Sequence, residues 1–125
     1  MKWLFTFTIL LLTSCSLGGE KLHFSGESDI WHVEYKATNI EDEKVVSQFA
    51  IKYTGKNPAP SKMRYEINGE TFNHSGEARA DNGIKSVNRD GLNCSKCRNF
   101  QENENIVATI RWQGDKEEIR LQPEK

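Results

Sequence analysis

From residue 21 onward, apolar and polar residues alternate, the signature of strands that keep one face on a core. Leu22 and Phe24 share a face, with His23 and Ser25 opposite. Gly26 to Asp29 breaks the run. Trp31, Val33 and Tyr35 then alternate with His32, Glu34 and Lys36. Asn39 to Glu43 is a polar turn. Beyond it, Ser47, Phe49, Ile51 and Tyr53 alternate with Gln48, Ala50 and Lys52. Gly55 to Ser61 carries Pro58 and Pro60 and is expected as a loop, because proline has no N–H for a central ladder.

Three turn signals follow. Asn68-Gly69 sits between alternating runs and predicts a two-residue hairpin. In that register Ile67 lies opposite Glu70, Tyr65 opposite Phe72 and Met63 opposite His74. Asn82-Gly83 predicts another hairpin, joining residues 77–81 to 84–88, whose strands have few large apolar residues. Gly114-Asp115 predicts a third, with Ile110 opposite Ile119, Ala108 opposite Leu121 and an exposed Arg111–Glu118 ion pair. Sustained helical periodicity is absent. Seven or eight short strands at regular spacing predict an all-β fold, an antiparallel β-sandwich. It is Ig-like in architecture only, since no cysteine pair flanks a tryptophan at the immunoglobulin spacing.

The N-terminus follows a different pattern. Lys2 precedes an apolar run from Leu4 to Leu12 that only Thr6 and Thr8 interrupt; Thr13, Ser14 and Cys15 close it. A charged start, a short apolar core and a small-residue exit make a secretory signal. A bilayer span needs roughly 20 apolar residues, so this run is too short for one. Leu12-Thr13-Ser14-Cys15 is a lipobox, and here the chain resembles bacterial lipoproteins as a class. The resemblance implies export, removal of residues 1–14 as a signal peptide, and lipidation of Cys15 with diacylglycerol and a further acyl chain such as palmitate. It also implies retention on the outer face of the cell membrane, or in the outer membrane of a Gram-negative cell. Residues 15–20 then form the lipidated cysteine and a short tether, and residues 21–125 a single domain. An ordinary secretory signal ending near Ser14 is the alternative.

Charge narrows the partners. The 125-residue chain carries a net charge of −1, and removal of Lys2 makes the mature chain one unit more negative. Without a basic block, neither nucleic acid nor electrostatic membrane binding is expected. Lipidation of Cys15 leaves Cys94-Ser95-Lys96-Cys97 as a C-x-x-C in a polar loop. A local disulfide between Cys94 and Cys97 is the favoured reading in an oxidising extracytoplasmic space. A free dithiol, a thioredoxin-like redox pair and half of a zinc site compete with it. The redox reading lacks a helix to depress a thiol pKa. The zinc reading lacks a second ligand pair. His74 falls on the apolar face of its hairpin, as a hydrogen-bonded or strand-edge residue. His23 and His32 fall on polar faces. No nucleophile elbow or glycine-rich phosphate loop is present, so no catalytic residue, metal or cofactor is assigned. By alternation, Phe24, Trp31, Tyr35, Phe49, Tyr53, Tyr65, Phe72 and Trp112 belong mostly to the core.

Two further stretches carry a resemblance. Phe24-Ser25-Gly26-Glu27-Ser28 with Trp31-His32-Val33-Glu34-Tyr35 resembles the opening of small uncharacterised lipoproteins from low-GC Gram-positive bacteria. Cys94-x-x-Cys97, Ile110 to Asp115 and Glu118 to Leu121 resemble their C-terminal part. The resemblance implies a surface lipoprotein with an Ig-like β fold and brings no catalytic residues. The expected function is a non-enzymatic binding or structural module. Its partners are the membrane, through lipid on Cys15, and an envelope or cell-wall component. The rival functions are a thiol–disulfide component using the C-x-x-C pair and an inhibitor of a secreted or cell-wall enzyme.

Overall fold

The computed structural model describes residues 21–41, 44–95 and 101–124. Among them are eight strands: β1 (Lys21–Glu27), β2 (Trp31–Glu41), β3 (Lys44–Tyr53), β4 (Lys62–Asn68), β5 (Asn73–Arg79), β6 (Ser86–Ser95), β7 (Ile106–Trp112) and β8 (Asp115–Pro123). Every ladder is antiparallel, and the strands form one sheet in the order β5-β4-β7-β8-β1-β2-β3-β6. The sheet curls until its halves face each other, so that His74 on β5 reaches Tyr35 on β2 and Trp112 on β7 reaches Trp31 on β2. The expected all-β antiparallel architecture is present. Its two layers are halves of one nearly closed sheet, continuous through β8 and β1.

Period two explains the core. Phe24, Trp31, Val33, Tyr35, Ile51, Met63, Ile67, Ile106 and Ile110 all point inward and are fully buried. Each such side chain contributes about 1.5–3 kcal/mol by leaving water. Register shifts between Asn39 and Glu41, and between Ser47 and Phe49, bend the β2–β3–β6 half and help it curl. The seam is narrow: β1 and β8 pair only at Phe24–Pro123 and Ser25–Gln122. Gly26 permits that crossing, because a Cβ there would lie 2.7 Å from the Arg120 carbonyl oxygen.

At the end of the sheet where β1 finishes, the loops are bound together through their backbones. Ala80 N–H donates to Ser61 at 2.8 Å and Ile84 N–H to Pro60 at 2.8 Å. Tyr53 N–H donates to Lys85 at 2.9 Å and Thr54 N–H to Ile30 at 2.7 Å. Buried Ile84 plugs this end of the core.

The registers differ from the expected ones. β4 and β5 are joined by a four-residue loop, with Asn68 opposite Asn73, Ile67 opposite His74 and Met63 opposite Ala78. The longer loop lets Phe72 stack on Tyr35, with ring centroids 5.0 Å apart, instead of facing Tyr65. Side-chain amides of Asn68 and Asn73 both donate to Glu66 Oε1, at 2.9 and 3.1 Å, and hold the loop mouth. Asn82-Gly83 does form a turn, closed by Gly83 N–H donating to Ala80 at 2.9 Å. It joins no hairpin, because β5 and β6 end opposite sides of the sheet. It is instead the corner between layers. The β7–β8 turn is Gln113-Gly114, which shifts the register by two: Ala108 faces Ile119, Ile110 faces Glu117 and Arg111 faces Lys116. Cys94, expected in a loop, lies within β6 opposite Val45, since β6 pairs with β3 as far as Ser95.

Candidate functional site

The shifted β7–β8 register builds an unexpected row of charge. Across the outer face of the sheet run Glu77 on β5, Arg64 on β4, Arg111 on β7 and Lys116 on β8, each directly opposite the next. Lys62 and Arg79 form the adjacent pair. Glu77 holds part of this cluster, with Arg79 Nε at 3.0 Å, Lys62 Nζ at 3.3 Å and Arg64 Nε at 3.7 Å. The Arg79 hydrogen bond, aided by Lys62, keeps the Glu77 carboxyl below the usual carboxylate range. These pairs are exposed and stabilise little. On the far side Lys116 reaches Glu118 at 3.4 Å. Arg111 stands between two cations in its row and acts on Glu66 only at coulombic range.

Like charges directly opposite one another weaken a sheet. The turn beside them is also strained. Gln113 has φ +46°, the left-handed region, where a non-glycine residue costs of order 1–3 kcal/mol. Both features border one groove of about 670 Å³, lined by Lys62, Arg64, Arg111, Trp112, Gln113 and Lys116 among others. Trp112 is half-buried there and packs edge-on against Trp31, ring centroids 5.6 Å apart. The groove therefore combines four cations with one acid, Asp115, and one half-buried aromatic residue.

A second groove of about 440 Å³ lies outside β1, β2 and β3, with Lys21, His23, Lys36, Gln48 and Asp90 in its lining. Its charges are mixed, and His23 Nδ1 already meets Glu124 at 2.8 Å.

The inner titratable cluster has a different character. Tyr35 Oη and His74 Nε2 share a hydrogen bond of 3.0 Å, and His74 stacks on Phe49 and lies tilted against Phe72, with ring centroids 5.8 and 5.2 Å apart. Burial pushes the Tyr35 phenol up to about 12, against a smaller opposing effect of its hydrogen bond with Ser47. Burial pushes the His74 imidazole below 6.5. Burial favours the neutral form of both groups, and their hydrogen bond clasps β5 to the opposite layer. This is the hydrogen-bonded, strand-edge histidine that the pattern predicts.

The other sequence candidates divide. Cys15 and Cys97 lie outside the described residues, and with them the lipid anchor, the tether and the disulfide pairing. His32 lies 3.4 Å from Glu34 and 3.8 Å from Glu27, on the wet face. Phe24, Trp31, Tyr35, Phe49 and Tyr65 are buried, whereas Tyr53, Phe72 and Trp112 are half-buried against the core. Among the described residues no group of three or more His, Cys, Asp or Glu side chains could hold a metal ion. No helix among them is long and apolar enough to cross a membrane. The cationic row is not visible in the sequence, because a Gly114-Asp115 turn would place Glu118 opposite Arg111, where the observed register places Lys116. Its only signal was the outward spacing of Lys62, Arg64 and Arg111. No protein-family model, curated protein or solved structure matches the chain.

Proposed function

We propose that the protein is a lipid-anchored, non-enzymatic binding module of the bacterial cell envelope, held by lipid on Cys15. Five residues, 16–20, separate Cys15 from β1. A segment of that length spans at most about 20 Å, so lipid on Cys15 would keep the Lys21 end of the barrel near the membrane. The antiparallel registers put the β7–β8 turn and its groove at the other end, where β1 finishes. The carrying observation is that the Leu12–Cys15 motif precedes β1 by only five residues in sequence, while a cationic groove, partly offset by Glu77, Glu118 and Asp115, lies at the opposite end of the sheet. Cys94 and Cys97 belong to this reading as a local disulfide at the membrane-side end of β6.

The test is Cys15→Ala. The variant is expected in the medium or periplasm, with the unfolding midpoint of the parent domain, while the parent partitions with membranes. A Cys15→Ala chain that stays membrane-bound refutes the anchor.

A further inference from the structure

We infer that the groove at the β7–β8 end takes an anionic sugar chain, one bearing carboxylate or phosphate groups. The inference deepens the binding-module reading and rests on it.

Four observations carry it. First, Arg64, Arg111 and Lys116 stand directly opposite one another on adjacent strands, with Lys62 beside them in the same groove. Strands lie about 4.8 Å apart, so the three aligned cations span roughly 10 Å. Several anionic groups on one chain can meet them together. Guanidinium forks suit both carboxylate and phosphate oxygens. Second, two local features that cost stability converge here: the like-charge row and the positive φ of Gln113. Consistency is broken where function compensates. Third, half-buried Trp112, its ring packed edge-on against Trp31, gives the same lining an apolar part that the C–H face of a sugar can meet. Fourth, β4, β7 and β8 are all interior strands of the sheet. Their backbone N–H and C=O groups are already paired, so a peptide cannot add as a strand there. The row also runs across the strands, whereas an added peptide strand runs along them. Recognition must come from side chains alone, which favours a glycan over an acidic peptide. The position of the groove away from the anchored end disfavours the membrane surface itself.

The experiment uses the full chain in detergent micelles, titrated by isothermal calorimetry at low and moderate salt. The probes are oligogalacturonate, phosphorylated dextran, neutral maltohexaose and polyglutamate. Binding is expected for one or both anionic glycans, weakening at least tenfold as salt rises, with none for maltohexaose. Which of the first two binds more tightly separates carboxylate from phosphate. Arg111→Glu places an acid between Arg64 and Lys116. It is expected to weaken binding at least tenfold and to raise the urea midpoint, since repulsion becomes attraction. Opposite signs on binding and stability are not expected of a residue that only supports the fold. The inference is overturned if neither anionic glycan binds, if R111E binds like the parent, if its urea midpoint falls, or if polyglutamate or maltohexaose binds as tightly. Because binding is read in micelles, its failure is distinct from failure of the anchor, which the Cys15→Ala fractionation reports.

Discussion

Tyr35→Phe is the sharpest probe of how the two halves of the sheet are held together. Tyr35 is 1% exposed, and its hydroxyl serves two partners: His74 Nε2 at 3.0 Å and the side chain of Ser47. Phenylalanine keeps the ring stacked between Phe49 and Phe72 and removes only the oxygen. A net hydrogen bond contributes about 0.5–1.5 kcal/mol, and a buried group left unpaired costs about 1–3 kcal/mol. Ser47 is buried and His74 half-buried, so the expected loss is about 2 kcal/mol, set mainly by Ser47. Urea unfolding at pH 7.5 measures it, with an unchanged m-value expected because no surface is newly exposed in the native state. The pH dependence has a definite sign. The Tyr35 phenol is raised from 10.0 to about 12. The unfolded chain therefore loses this proton first, and native stability falls as pH rises above 10 and on towards 12. At about 1.36 kcal/mol per pKa unit, that limb is worth roughly 2–3 kcal/mol. Tyr35→Phe should flatten the alkaline limb relative to the parent, since other titrating groups are common to both. On the acid side His74, depressed below 6.5, remains neutral in the native state while the unfolded chain takes up a proton. Stability contributed by neutral His74 is complete above about 6.5 and is lost as pH falls through that value towards the lowered one. A loss below 0.5 kcal/mol at pH 7.5, or equal alkaline limbs in the two proteins, refutes the clasp.

Two other outcomes follow from local geometry. Gly83→Ala meets both a positive φ of +95° and an Ala59 carbonyl oxygen 2.9 Å from the new Cβ, whereas Gly114→Ala meets φ +81° in open space. The first should cost about 2 kcal/mol or more and the second about 1 kcal/mol, and equal midpoint shifts in urea would remove the close approach as a cause. For the cysteines, intact mass after alkylation without reductant should show Cys94 and Cys97 unmodified, and both modified once reduced; modification of both before reduction ends the disulfide reading.

The inward faces of β1 to β4, β7 and β8 are readable from alternation, as are most of the buried aromatics, whereas most of β6 reads as turn and polar loop. The registers were not, and the reason is specific. The β4–β5 ladder is offset by four from the Asn-Gly expectation, and the β7–β8 ladder by two from the Gly-Asp one. Even offsets leave every side chain on its own face. The hydrophobic pattern is therefore satisfied by either register, and His74 faces inward in both. What separates them is packing: Phe72 enters the core only if the first loop has four residues. Asn82-Gly83 behaves similarly: its turn signal marks a change of direction, and the strand that follows pairs elsewhere.

The chain alone thus determined a β fold, its inner and outer faces, and an N-terminus that resembles a lipoprotein signal, because each depends on residues close together in sequence. Tertiary structure decided which strands are neighbours, since β6 chooses β3 over the β5 that precedes it. It also decided that Arg111 faces Lys116 where Glu118 was expected. Charge complementarity across a ladder depends on a register set by the core beneath it. The cationic groove came into view only once the inner face had been packed.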